Sequence, residues 1–285
     1  MAFAYKFESA EILGSTMTYL DLGIGDAVLL GNSYLWDAEM WRPQIEVLAR
    51  RYRVIVPNLW GHGGSGALPT ATKTLGDLAR HHLVLMDRLG IDRFALFGLS
   101  LGGMWGAELA VLAPERVKAL ALLDTYLGPE PQISRSKYFG LIDAIAAAKA
   151  IPGPTLDVIV PLFFAPDTET KMPALPEAFR MKLRDWDSAR LLDSVLPIGR
   201  MLFGRRDARD DLHNLPMPKL VLTGSEDIPR PVHEGQQMAA ILGCPFVEIA
   251  GAGHISTLQA PEPVTEQLAR FLADSLGVTA QKVVG

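Results

Sequence analysis

An α/β fold, built on a mostly parallel sheet with helices on both faces, is the class this sequence predicts. Three observations carry it. Apolar runs of strand length alternate with helical segments from residue 27 onward. Those runs are continuously apolar, as strands buried on both faces are. One of them, Arg93-Phe94-Ala95-Leu96-Phe97, runs straight into Gly98-Leu99-Ser100-Leu101-Gly102-Gly103 and then into a helical segment rich in small residues, Met104-Trp105-Gly106-Ala107-Glu108-Leu109-Ala110.

The elements follow in order. Residues 5–12 and 16–22 read as an opening hairpin about Gly14-Ser15. Residues 27–30 form a short buried strand, 38–50 have helical spacing, and 52–57 form the next strand. Residues 75–89 make a helix stopped by Gly90, and 117–123 make the strand after the glycine-rich turn. The alternation then stops. Between Gly128 and Asn214, prolines at 129, 131, 152, 154, 161, 166, 173 and 176 punctuate amphipathic helical segments, which reads as an inserted helical cap. Strand-helix order resumes with 219–224, 232–242, 246–249 and a last helix over 263–276. The predicted organisation is therefore a first core segment (1–127), a cap (128–214) and a second core segment (215–285), with a frayed tail from Val278.

Composition excludes several functions. The 285 residues are 49% hydrophobic and 21% charged with a net charge of −5, and no Lys/Arg run offers a local basic patch, so nucleic acid and membrane surfaces are not expected partners. The opening Met1-Ala2-Phe3-Ala4-Tyr5-Lys6-Phe7-Glu8 lacks the basic-then-apolar pattern of a signal peptide, and a cytoplasmic location is the expectation. Cys244 is the single cysteine, which excludes an internal disulfide and a multi-thiolate zinc site. Neither a cofactor nor a metal is expected, and no assembly signal fixes an oligomeric state.

The chemistry starts at Gly98-x-Ser100-x-Gly102. A serine on a tight strand-to-helix turn, with a glycine two residues away on either side, has its hydroxyl held out at the sheet end, so Ser100 is the candidate nucleophile. Serine needs a base to take its proton and an acid to orient that base. His254, in Gly251-Ala252-Gly253-His254 directly after the last strand, is the candidate base. Asp227, in Gly224-Ser225-Glu226-Asp227 after the preceding strand, is the candidate acid, with Asp124 at the end of 117–123 second and Glu226 third. His62 reads as a scaffold residue near the site; His81, His82, His213 and His233 read as packed or solvated.

Two N–H donors for an oxyanion complete an acyl-transfer site. Leu101, after the nucleophile, supplies one. The other comes from Gly31-Asn32-Ser33-Tyr34-Leu35-Trp36, with Tyr34 preferred and Ser33 next. Ser33 and Trp36 are the candidate substrate-binding residues, Trp36 being divided between pocket and core.

Taken together, Gly98 to Gly103, Gly61-His62-Gly63-Gly64-Ser65, Gly224 to Asp227 and Gly253-His254 resemble the α/β-hydrolase family over nearly the whole chain. The resemblance implies an eight-stranded sheet with a cap inserted after the sixth strand. Two departures stand out. Asn32-Ser33 replaces the common His-Gly of the oxyanion loop and resembles enol-lactone hydrolases; Asn58 stands where aspartate is common, implying a local change in hydrogen bonding. A serine at the elbow argues against the haloalkane dehalogenase and epoxide hydrolase branches. The expected function is hydrolysis of a small, largely apolar carboxylic ester or lactone through an acyl-enzyme. The alternatives are a carbon–carbon bond hydrolase of ring-cleavage products, a cofactor-free perhydrolase, and a hydrolase-like small-molecule sensor.

Overall fold

A computed structural model describes residues 5–277, and its eight strands form one sheet. The strands are β1 (Glu8–Ile12), β2 (Ser15–Leu22), β3 (Ala27–Gly31), β4 (Arg53–Pro57), β5 (Phe94–Leu99), β6 (Val117–Leu123), β7 (Lys219–Gly224) and β8 (Phe246–Ile249), in the spatial order β1-β2-β4-β3-β5-β6-β7-β8. β2 pairs antiparallel with β1 and with β4; every later pairing is parallel. The continuous apolar runs occupy the middle: every residue of β3 and of β5 is buried. The predicted tail from Val278, and residues 1–4, lie outside the described residues.

Helices α1 (Arg42–Leu48), α2 (Leu75–Arg88) and α3 (Leu101–Leu112) fall between the early strands, and α10 (Val232–Leu242), α11 (Ser256–Gln259) and α12 (Pro261–Leu276) complete the second core segment. α2 opens on a capping box in which Thr74 and Asp77 satisfy each other's backbone N–H groups. Where the sequence predicted one helix over 38–50, a 3₁₀ turn (Ala38–Trp41) precedes α1. Pro43 explains the break: it has no N–H for the carbonyl four residues back, so an α-helix begun at Ala38 would lose a bond there.

Between β6 and β7 lie α4 (Gln132–Ala148), α5 (Gly153–Ile159), α6 (Thr168–Lys171), α7 (Ala174–Arg184), α8 (Ser188–Arg190) and α9 (Leu196–Phe203). A π-helical turn, Leu191–Val195, joins the last two just ahead of Pro197, whose missing N–H again loosens the ladder. Side-chain contacts tie these helices to the core. Trp36 stacks on Phe179 with ring centroids 4.4 Å apart, Lys182 pairs with Asp37, and the Tyr34 hydroxyl donates to the Val195 carbonyl at 2.9 Å.

The tightest packing is backbone on backbone where β3, β5 and α3 meet. A Cβ on Gly102 would lie 2.2 Å from the Gly31 carbonyl oxygen, and one on Gly98 would lie 2.3 Å from that of Gly102. Gly102→Ala is therefore expected to lower stability by about 1–3 kcal/mol. Gly140→Ala, on α4 with open space around it, is expected to gain about 0.5–1 kcal/mol from helix propensity. Urea midpoints at constant m-value test the pair; equal shifts would sink the argument.

Candidate active site

Ser100 sits between β5 and α3 at φ 55°, ψ −117°, a left-handed conformation that side chains rarely adopt. Its neighbours hold it there. The Ser100 N–H donates to the Leu123 carbonyl at 2.9 Å, and its carbonyl accepts from the Thr125 hydroxyl at 2.7 Å. Such strain costs of order 1–3 kcal/mol and persists only where the surroundings over-determine it.

The hydroxyl of Ser100 lies 2.9 Å from His254 Nε2, and His254 Nδ1 lies 3.0 and 2.9 Å from the two Asp227 oxygens. A carboxylate only accepts, so Nδ1 carries the imidazole proton and Nε2 is left to accept from serine. All three side chains are buried. Loops after three different parallel strands thus bring their residues to one sheet end. Asp227 is itself oriented, because its Oδ1 accepts the Arg230 N–H at 2.9 Å.

Asp124, the second-choice acid, is also buried but faces other partners. It accepts from the Gly224 N–H at 2.8 Å and the Ser256 hydroxyl at 2.5 Å. Burial first, and then the charge of Asp227, push its carboxyl well above the usual range. It joins the turn after β7 to α11 and leaves His254 to Asp227. Glu226, the third choice, makes no hydrogen bond to His254 among the described residues.

In the loop after β3, the Ser33 N–H points at the Met40 sulfur at 3.2 Å and the Leu35 N–H donates to His62 Nε2 at 3.1 Å. The Tyr34 N–H between them has no hydrogen-bond partner among the described residues, nor has the Leu101 N–H at the start of α3. His62 is the brace of this loop. Its Nδ1–H donates to the Trp60 carbonyl at 2.8 Å, which fixes the tautomer that lets Nε2 accept. Asn58 braces the next turn, taking the Ala38 N–H at 2.9 Å and donating to Thr18 Oγ1 at 3.0 Å. An aspartate there would lack that donor. His81 and His82 pack as expected: the first accepts from Trp60 Nε1, and the second stacks on Trp105.

Ser100 and His254 open on a cavity of about 90 Å³. Ser33, Tyr34, Met104, Ile142, Leu162 and Phe163 are among its walls. Trp36, expected as a candidate substrate-binding residue, is not part of the lining. Its indole is taken by Phe179, Phe163 and Phe164, so it ties the helices after β6 to the loop. Three charged lining residues escaped the sequence reading: Glu130, Arg205 and Arg230. A carboxylate or guanidinium within an apolar, proline-flanked stretch, as in Gly128-Pro129-Glu130-Pro131 and Pro229-Arg230-Pro231, was the available signal. Among the described residues no group of three or more His, Cys, Asp and Glu side chains could hold a metal ion, and no helix is long and apolar enough to cross a membrane.

This sheet, strand order and strand-to-helix serine turn define an α/β hydrolase, and the chain belongs to the alpha/beta hydrolase fold family, whose profile matches residues 26–261. Among its relatives is 3-oxoadipate enol-lactonase 1 of Acinetobacter baylyi, 23% identical over 252 residues, which cover 86% of this chain and 88% of that protein. Two solved structures are similar throughout. A thermophilic esterase from Thermogutta terrifontis superposes with a TM-score of 0.84 at 28% identity, covering 94% of this chain and 99% of that one. The enol-lactonase from Burkholderia xenovorans LB400 does so with a TM-score of 0.80 at 26% identity, covering 93% and 100%.

The buried histidines make the fold sensitive to acid. Burial pushes His62 down to about 4 and His82 down to about 3. In the unfolded chain both return to about 6.5. Below that value the unfolded state takes up protons that the folded state refuses, so stability falls with falling pH until each folded value is reached. Each histidine contributes a slope of about 1.4 kcal/mol per pH unit within its window. His82→Phe keeps a ring on Trp105 and removes one titration. Urea unfolding between about pH 6 and 4.5 is expected to show its slope reduced by that amount; parallel slopes would contradict the assignment.

Proposed function

We propose that this protein hydrolyses a small carboxylic ester or lactone through an acyl-enzyme on Ser100. The observation that carries the reading is the unbroken contact from Ser100 Oγ through His254 to Asp227, at 2.9 Å and 2.9–3.0 Å. In the first step Oγ attacks the carbonyl carbon while Nε2 takes its proton, and the imidazolium is stabilised by Asp227. The carbonyl oxygen becomes an oxyanion between the N–H groups of Leu101 and Tyr34, both of which lack protein partners among the described residues. Collapse expels the alkoxide, which receives the proton from Nε2. Water then repeats the sequence: His254 takes its proton, hydroxide adds to the acyl carbon, and Oγ leaves with the proton returned. A lactone gives one product molecule in place of two.

Two features support this substrate class. The cavity is small and mainly apolar, which suits a short acyl chain. Asn32 takes the place of the usual oxyanion-loop histidine and its Nδ2 donates to the Pro57 carbonyl at 2.9 Å, so the loop is held by a neutral group. The similarity to an enol-lactonase and an esterase points the same way.

A series of p-nitrophenyl esters from acetate to octanoate, with a small lactone panel, tests the proposal. Ser100→Ala is expected to cut kcat by about 10⁴-fold or more, with loss of any acyl-enzyme burst. Asp227→Asn is expected to cost about 10⁴-fold through the wrong histidine tautomer. Asp124→Asn, whose partners lie off the histidine, is expected to stay within about tenfold of wild type and to lose stability instead. Comparable rate losses at both aspartates would reassign the acid; wild-type protein inert on every ester and lactone would overturn the reading.

A further inference from the structure

The one charged wall of the cavity is built from three separate segments. Glu130 lies on the chain leaving β6, Arg205 just past the end of α9, and Arg230 in the loop that carries Asp227. All three are more than nine-tenths buried. Glu130 is fully used: it accepts from Arg205 Nη1 at 2.8 Å and from Arg230 Nη2 at 2.8 and 2.9 Å. The fourth member, Glu234, lies 3.3 Å from Arg230 Nη1.

Arg205 is left half-satisfied. Its Nη1 is bonded to Glu130 and to the Leu202 carbonyl, while Nε and Nη2 are buried with no hydrogen-bond partner. Those two nitrogens form the straight edge of the guanidinium that matches the spacing of carboxylate oxygens. Elsewhere in this protein the same edge is filled in that way. Arg53 holds Asp21 through Nε at 2.9 Å and Nη2 at 2.7 Å. Among the described residues no carboxylate other than Glu130 is hydrogen-bonded to Arg205, and a buried donor pair without an acceptor is costly enough that such pairs are rare in native proteins.

The geometry points to Arg205 as a specificity residue that takes a carboxylate carried by the substrate, at a point remote from the bond cleaved at Ser100. This rests on the esterase or lactonase reading above and narrows it. The substrate is then an ester or lactone of a short apolar chain ending in a carboxylate, with the chain against the isoleucine and phenylalanine walls. Its far oxygens would fill the Arg205 edge while its carbonyl meets Ser100. Two guanidinium groups against one fully committed carboxylate and Glu234, whose carboxyl is pushed up by burial, leave room for one more negative charge.

Monoethyl glutarate and ethyl pentanoate, equal in acyl length and differing in the terminal carboxylate, test this by acid release under constant pH. Wild type is expected to favour the glutarate by about 10- to 100-fold in kcat/KM, as a charge-assisted bond in a dry site supports. Arg205→Met is expected to abolish the preference, mainly by raising KM for the glutarate, so that kcat/KM falls much further for the glutarate than for the pentanoate. Arg205→Lys, which keeps the charge without the paired edge and serves if the methionine variant does not fold, is expected to retain part of it. A wild type that hydrolyses both esters with no preference, or favours pentanoate, overturns the assignment while leaving the esterase reading intact. Binding separates the two further: glutarate, and not pentanoate, is expected to raise the Tm of Ser100→Ala protein, and the rise is expected to vanish when Arg205→Lys is added. That rise without any ester turnover would keep the carboxylate site and reject the esterase; no rise and no preference would reject the site.

Discussion

The site depends on one steric constraint, the approach of three backbone segments at Gly31, Gly98 and Gly102. At Gly98 and Gly102 carbonyl oxygens, and at Gly31 the Trp105 ring, occupy the space where side chains would begin, so β3, β5 and the first turn of α3 lie closer than any residue with a Cβ permits. Two consequences follow. The turn at Ser100 is forced into positive φ, which points the side chain out of the sheet end and into the cavity. The loop leaving Gly31, which carries the Tyr34 N–H, starts beside the first turn of α3, which carries the Leu101 N–H; neither group has a hydrogen-bond partner among the described residues. The strain at Ser100 is the local cost of this arrangement, offset by the wholly buried strands around it.

Placement of polar groups repeats the theme at lower precision. His62 has both ring nitrogens committed, one to Trp60 and one to Leu35, so it acts on the loop as a neutral strut; burial keeps it neutral through the ordinary pH range. Asp124 and Asp227 are two buried acids near one another with separate tasks. Asp227 is met by an imidazole N–H and a backbone N–H. Asp124 is met by a hydroxyl and a backbone N–H, with Asp227's charge nearby, and its carboxyl is shifted towards the neutral form. Keeping two carboxylates close is easier when one of them is disfavoured as an anion, and burial, followed by the charge of Asp227, makes Asp124 that one.

Much of the architecture was legible because it is encoded locally. Continuous apolar runs mark β3 and β5, and the glycine spacing around Ser100 marks the turn, without reference to anything distant; the last helix, read over 263–276, starts two residues earlier at Pro261. The order of Ser100, Asp227 and His254 was legible too, since each follows directly on a strand and parallel strands deliver their C-terminal ends to one side. What stayed hidden depends on contacts made across the fold. Trp36 could face the cavity or the helices above it, and only Phe179, 143 positions later, decides. The break of the predicted helix at Ala38–Trp41 was, by contrast, readable from Pro43 and was overridden by the apolar spacing. Glu130, Arg205 and Arg230 form a cluster from positions 75 and 25 residues apart, without periodicity to mark it.

Those three residues also bear on how the helices over the site stay in place. Glu130 and Arg205 stand at the two ends of the segment between β6 and β7, and Arg230 belongs to the loop that holds Asp227. A single carboxylate therefore joins both crossings of the helical insertion to the acid of the candidate triad, through side chains and then through the Arg230 N–H. Buried ion pairs of this kind add little net stability, since desolvation offsets most of their attraction. Their value lies in geometry: a group that must be paired restricts the backbone to the arrangements that pair it. Apolar contacts such as Trp36 on Phe179 can slide by an ångström at small cost, whereas a buried carboxylate shared by two guanidinium groups cannot without leaving one of them unpaired. The fold thus places a buried ion-pair cluster where both crossings of the helical insertion meet the loop of Asp227, and leaves the apolar walls to adapt.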